Sequence, residues 1–155
     1  MELGKILDAK AVAYVIRNLR QQDREELMAT NPLDDLITYG QMLYDHVHDS
    51  EYSFVVTRNN VPVTCFGMIN PYPGVWNVWL LSTDEFDKIS TALTKKIKRD
   101  IIPVWLQLGH RFQCVSHENN TLSHKWLEFL GFEREAVLKK YGRDQKDFIM
   151  FSITE

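Results

Sequence analysis

The side chains whose type and spacing could do chemistry gather between His110 and Phe132, HRFQCVSHENNTLSHKWLEFLGF. His117 and Glu118 are adjacent titratable groups at the end of a strand-like run. Imidazole exchanges protons near neutral pH and a carboxylate accepts them, so the pair could act as a general base. A solvated loop histidine fits the same pattern. Asn119, Asn120 or Thr121 can accept hydrogen bonds from the unpaired first-turn N–H groups of a following helix, a role that needs no ligand. A second polar cluster, Ser82-Thr83-Asp84-Glu85, follows an apolar run. Its hydroxyls suit a helix cap, and its acids suit the positive end of the helix dipole. Cys65 and Cys114 have no recognisable His partner and no Gly-x-Ser-x-Gly elbow occurs, so nucleophilic catalysis finds no support. His46 and His48 are two apart in a helical segment and point to different faces. No metal-ligand spacing appears elsewhere.

These residues need elements to hold them. Arg111 to Ser116 alternates, with Phe112, Cys114 and Val115 suited to a pleated surface, which predicts a strand. Leu122, Trp126, Phe129 and Leu130 recur at i, i+4, i+7 and i+8, predicting one buried helical face. Gly131 closes that helix, because glycine takes left-handed backbone at little cost. Val75 to Leu81 is apolar on both faces, as a central strand would be. Ser82 or Thr83 then caps a helix with Phe86, Ile89, Leu93 and Ile97 inward, which Pro103 ends or kinks. Toward the start, Met1 to Leu7 reads as an edge strand. Asp8 caps a helix with Val12, Val15, Ile16 and Leu19 inward. Arg20 to Glu26 reads as a further helical turn or a bend, and Asn31-Pro32 as a break. Leu33, Leu36, Ile37, Leu43, Tyr44 and Val47 mark another helix, with Gly40 on its apolar side. Glu51 to Thr57 and Val61 to Ile69 predict a hairpin around Arg58-Asn59-Asn60, since Asn tolerates positive φ. Glu133 to Tyr141 and Lys146 to Ile153 predict two last strands.

At 155 residues and 45% apolar content the chain predicts a single folded domain, residues 1 to 155, with a real core. No run of about 18 apolar residues predicts a membrane span. MELGKILDAK lacks the apolar core of a signal peptide, and two isolated cysteines suit a reduced cytosolic setting. A net charge of −3 gives no general attraction to nucleic acid, and Lys95-Lys96-Lys98-Arg99 reads as a solvated helix face.

Val115, Asn120, Ser123, Trp126, Leu127 and Leu130-Gly131-Phe132 together resemble motif B of the GNAT family, the GCN5-related N-acetyltransferases. The order β–α–α–β–β–β–α–β–α–β–β resembles that family over nearly the whole chain. The resemblance implies an α+β fold: a mixed, strongly twisted sheet of about seven strands with helices on both faces. Val75 to Leu81 would run parallel to Arg111 to Ser116 near its start and splay from it further on. Trp76 to Asp84 (WNVWLLSTD), and Tyr141 to Asp144 running into Phe148-Ile149-Met150-Phe151, resemble the GNAT-like internal virion proteins of short-tailed bacteriophages.

In that family acetyl-CoA lays its pyrophosphate on a glycine-rich loop after the central strand. The matching loop is Leu81-Ser82-Thr83-Asp84-Glu85-Phe86, which has no glycine and carries two acids. Those acids would repel a pyrophosphate, so acetyl-CoA is expected to bind weakly or not at all, with Leu81, Ser82, Thr83, Asp84 and Asn120 as its contacts if it does. The family's general acid, a Tyr seven residues after the motif B Asn, is replaced by Leu127; His124 and Tyr141 are the substitutes on paper. His117 and Glu118 are the base candidates, and the helix around Leu36 to Val47 would cover the acceptor site. The resemblance therefore implies a phage virion or assembly protein that keeps the fold and has lost the chemistry. It would need no cofactor, would partner other phage proteins rather than nucleic acid or membrane, and would reside in the infected host's cytoplasm or the virion. The alternative is an acetyl-CoA-dependent N-acetyltransferase acting on a small amine or protein amine.

Overall fold

In the computed structural model, which describes residues 1–32 and 34–155, the chain runs β1 (Glu2–Lys5), α1 (Ala9–Arg17), α2 (Gln21–Thr30), α3 (Leu36–Val47), β2 (Ser53–Arg58), β3 (Val61–Tyr72) and β4 (Val75–Ser82). It continues through α4 (Ser90–Lys96), α5 (Ile102–Trp105), β5 (Arg111–His117), α6 (Thr121–Leu130), β6 (Glu133–Leu138) and β7 (Phe148–Thr154). A short 3-10 helix, Asp84–Lys88, precedes α4, and a π-helical turn, Ile97–Ile101, joins α4 to α5. The seven strands form one mixed sheet in the order β1-β2-β3-β4-β5-β7-β6. All pairs are antiparallel except β4 with β5, which is parallel. The fold is the α+β arrangement that the motif B resemblance implies.

Strand alternation sorts the side chains of the sheet between two cores. On one face α1 and α3 pack Val12, Val15, Ile16, Leu43 and Val47 against Cys65 and Leu81. Gly40 lets the two helices close together: a Cβ there would stand 3.2 Å from Ile16 Cγ1. On the other face Ile89, Leu93, Ile97, Trp105, Leu127 and Leu130 pack against Phe66, Phe112 and Phe151. Asp8 caps α1 through Lys10 N at 2.8 Å. Asn59 and Asn60 hold the β2–β3 hairpin with φ of 53° and 63°, as a type I′ turn demands. Gly131 ends α6 with φ of 105°.

Four details differ from the sequence reading. Gln21 to Glu26 belongs to a separate helix, α2, with Arg20 at its N-cap position and Asp23, Leu27 and Ala29 as its buried side chains. Pro103 does not end the helix: it lies in the first turn of α5, where its missing N–H is not needed, and the π turn before it absorbs the change of register. Ile37 is exposed on α3, and Leu33 lies outside the described residues. The buried face of α6 is turned by about 100°, one residue, so that Asn120, His124, Leu127 and Leu130 face the sheet while Leu122 and Phe129 are exposed. The helix end at Asn120 and the contact of His124 with Phe151 fix that rotation. Trp126 is half-buried with its N–H on Thr94 Oγ1 at 2.9 Å, and Phe129 lies under Lys98 Nζ at 4.4 Å.

This rotation makes a direct prediction. Leu130→Ala should cost about 2–5 kcal/mol, the usual range for a buried leucine, and Phe129→Ala under about 1 kcal/mol, a surface cation–π contact. Urea unfolding of both variants checks it; equal losses would mean that α6 packs on its other face.

Candidate functional site

β4 and β5 pair over three residues only, Val75 to Asn77 against Arg111 to Gln113. Beyond that point β4 stays with β3 as far as Ser82, and β5 stays with β7 as far as His117. Each strand keeps one neighbour and loses the other, so a wedge opens through the sheet. The N–H of Ser82 and that of His117 lie on its two edges, and by alternation the amide of Leu80 shares the edge of Ser82. Buried backbone N–H groups require acceptors. Here α2 supplies them. Asp23 Oδ2 accepts from Ser82 N at 2.9 Å, and Glu26 Oε1 accepts from His117 N at 3.0 Å. The two carboxylates are i, i+3 on one helical face, so one helix reaches both arms of the wedge.

Their partners differ. Asp23 is gripped by Arg20, through Nε at 3.1 Å and Nη2 at 3.0 Å. Among the described residues no cation pairs with Glu26; its Oε2 accepts from Asn120 Nδ2 at 2.6 Å. Burial pushes the Asp23 carboxyl above its ordinary value, against the opposing pull of Arg20 and Ser82. Burial raises Glu26 to about 7, the Asp23 charge adds to the rise, and Asn120 and the His117 N–H offset part of it. Glu26 can therefore exchange a proton at neutral pH.

A cavity of about 210 Å³ occupies the wedge. Val78 to Leu81 and Cys114 to Ser116 form its walls, Asp23, Glu26 and Tyr39 line it on one face of the sheet, and Trp105, Leu127 and Leu130 on the other. Burial raises the Tyr39 phenol, which stays protonated, and raises the Cys114 thiol to about 12, which removes it as a nucleophile. An outer groove of about 290 Å³ meets this cavity at Leu80, Ser123 and Trp126, and Arg20 and Lys125 contribute its cations. The Leu81–Phe86 loop carries no Arg or Lys of its own; folding brings Arg20 to it, 4.9 Å above the Phe86 ring.

The candidates chosen from sequence fall in different places. His117 is buried rather than a solvated loop histidine. Its Nδ1 accepts from Asn119 N at 3.1 Å, which leaves the proton on Nε2 to donate to Asp144 Oδ2 at 2.8 Å. Both nitrogens are thus engaged away from the wedge. Glu118 follows it out of β5, its N–H on Asp147 O, and Tyr141 is exposed against Phe148. Neither lines the cavity. His124 is buried with Nε2 donating to His117 O at 2.9 Å, and burial lowers its pKa. Leu127, at the position of the family's acid, does line the cavity.

Asn120 stands at the N-cap position but makes no side-chain cap bond, because its amide is turned to Glu26. Among the loop residues, Leu81 and Ser82 are buried and Asp84 is exposed. Thr83 caps the 3-10 helix by accepting from Glu85 N, and its own N–H donates to Val63 O. The N–H groups of Ser82, Thr83, Glu85 and Phe86 all have acceptors within the chain. Among the described residues no cluster of three or more His, Cys, Asp or Glu could hold a metal, and no helix is long and apolar enough to cross a membrane.

Asp23, Glu26 and Tyr39 were missed in the sequence. The signal was the i, i+3, i+4, i+7 series Asp23, Glu26, Leu27, Thr30, a single helical face carrying two acids.

No protein-family model and no curated protein matches the chain. Solved structures do. Ribosomal-protein-alanine N-acetyltransferase from Brucella melitensis aligns over 100% of both chains with 18% identity and a TM-score of 0.71. The yncA protein of Salmonella typhimurium, determined with its cofactor acetyl-CoA, aligns over 99% of this chain and 92% of its own, with 13% identity and a TM-score of 0.73. Ard1 from Thermoplasma volcanium aligns over 99% and 96%, with 13% identity and a TM-score of 0.72. At such identities the likeness concerns the fold, and the fold is that of the GNAT acetyltransferases.

The raised Glu26 pKa carries a stability prediction. Between its ordinary value of 4.5 and about 7 the folded chain holds a proton that the unfolded chain has released. Stability from this group is therefore greatest at low pH and falls as pH rises through about 7. Glu26→Gln keeps both contacts once the Asn120 amide turns over, and removes the titration. Its thermal stability relative to the unaltered protein should rise from pH 5 to pH 8, by at most on the order of 3 kcal/mol. A difference that does not vary with pH would mean that Glu26 titrates normally.

Proposed function

We propose that this chain is an acetyl-CoA-dependent N-acetyltransferase acting on a primary amine. The observation that carries the reading is the wedge with Glu26 at its edge: an apolar slot, open to strand-edge amides, beside a carboxylate that exchanges protons near pH 7. The residues present fit the extended arm of a coenzyme A thioester, whose amides can pair with the Leu80 edge of β4. They do not reproduce a glycine-lined phosphate cradle; Arg20 and Lys125 in the outer groove take that place.

The chemistry follows from these groups. The amine nitrogen bonds to the acetyl carbonyl carbon, the carbon–sulfur bond breaks, and the nitrogen gives up a proton. Glu26 receives it, directly or through a water, and its match to the working pH favours general-base catalysis. The departing sulfur is an aliphatic thiol, far more acidic than an alcohol or amine, so it leaves readily as thiolate, and the Leu127 position needs no strong acid. The Tyr39 phenol, kept protonated by burial, can donate a hydrogen bond toward the cavity, and the thiolate takes its proton from solvent after it leaves.

The N–H groups of Ser82, Thr83, Glu85 and Phe86, already bonded within the chain, favour a second reading. In it the fold is retained as a surface for other phage virion or assembly proteins, the role that the Trp76–Asp84 and Tyr141–Phe151 likeness suggests.

Calorimetric titration with acetyl-CoA, followed by thiol release over a panel of amines, separates the two. The enzyme reading expects one site and amine-dependent release, with Glu26→Gln lowering kcat by about 10²–10⁴ at unchanged acetyl-CoA affinity. Absence of binding at millimolar acetyl-CoA would reject it in favour of the second.

A further inference from the structure

The wedge has a self-supplied occupant. The Asp23 carboxylate, 3% exposed, sits on Ser82 N and on the Arg20 guanidinium together. An N–H and a guanidinium converging on one carboxylate make an anion site, here filled by the chain itself. Ser82 N and Arg20 are both directed at Asp23, so a ligand that takes this end of β4 for itself must take the place of Asp23.

α2 is suited to giving way. Leu27 and Ala29 are its only buried apolar residues, whereas α1 buries Val12, Val15 and Ile16. Polar contacts hold it instead. At its start Arg20 N donates to Ser82 O at 2.9 Å. In its middle Glu26 holds His117 N and Asn120. At its end the β6–β7 loop straps it: Arg143 N donates to Ala29 O at 2.8 Å, and the Arg143 guanidinium reaches Asn31 O at 3.1 Å and Asp34 Oδ1 at 2.6 Å. Tilting the start of such a helix exposes little apolar surface and lets Asp23 regain the hydration whose loss is costly, while Glu26 keeps its contacts with His117 N and Asn120. Arg20 already lines the outer groove, so release of Asp23 frees a guanidinium and a strand-edge N–H for the incoming ligand.

We infer that α2 is an autoinhibitory latch, with Asp23 as a built-in competitor that leaves Ser82 and Arg20 when the wedge admits a coenzyme A thioester. The inference rests on the reading of the wedge as a coenzyme A site. The ligand takes over donors that Asp23 holds, and the strap at Arg143 sets how readily α2 lets go.

The test uses coenzyme A itself, which binds without turnover. Calorimetry should show at least tenfold tighter binding by Asp23→Asn, which keeps the shape and removes the charge. Arg143→Ala, distant from the ligand, should tighten binding several-fold. Hydrogen exchange on the unaltered protein gives a readout independent of how the variants fold: coenzyme A should speed exchange of amides 21–25, around Asp23, while the β4 amides stay protected. Binding by the Asp23 variant alone would also support the latch. Equal affinities with unchanged α2 exchange would overturn the latch and leave the site reading intact. Failure of every chain to bind coenzyme A would overturn both.

Discussion

Two parallel strands that part inside a protein create a problem of backbone chemistry. Each edge beyond Asn77 and Gln113 carries N–H groups that have lost their ladder partner and cannot all reach water. Much else in this molecule answers that constraint. α2 is polar because it delivers acceptors to the edges, and its two acids are three residues apart because the wedge has two arms. Asn120 leaves its cap unfilled because its amide is needed at Glu26. The β6–β7 loop crosses to Ala29, Asn31 and Asp34 because a helix with so little apolar surface needs holding by other means.

The same arrangement sets the electrostatics. Two carboxylates, Asp23 buried and Glu26 half-buried, share one site with one cation, and Arg20 is committed to Asp23. Glu26 is left with neutral donors, which stabilise its charge less than a guanidinium would, and burial decides the balance. A helix that closes the wedge thus also places beside it a group that titrates near neutrality. His117, the obvious histidine, is occupied for a matching reason: a backbone N–H on one nitrogen and Asp144 on the other make it a peg between β5 and the β6–β7 loop.

The architecture was legible in the sequence. Apolar alternation and turn chemistry placed the strands, Asn59-Asn60 and Gly131 marked backbone that must take positive φ, and the doubly apolar Val75 to Leu81 announced the sheet centre. Loss at α6 was partial. The stripe Leu122, Trp126, Phe129, Leu130 is real, but a helix has two neighbouring stripes within one residue's rotation, and the contact of His124 with Phe151 selected the other one.

The site was less legible, and for a physical reason. What the sequence determined by itself is local: which segments extend or coil, where caps and turns fall, and which positions such as Leu127 cannot supply a proton. Asp23 and Glu26 looked like ordinary surface acids because nothing within their own helix marks them as buried. Their role depends on Ser82 and His117, 59 and 91 residues away along the chain, and on the parting of two strands that no local propensity encodes. Only the tertiary structure could bring a charged helix over that gap, because burial and partner identity, which set both the hydrogen bonds and the pKa values, exist only once the sheet has formed.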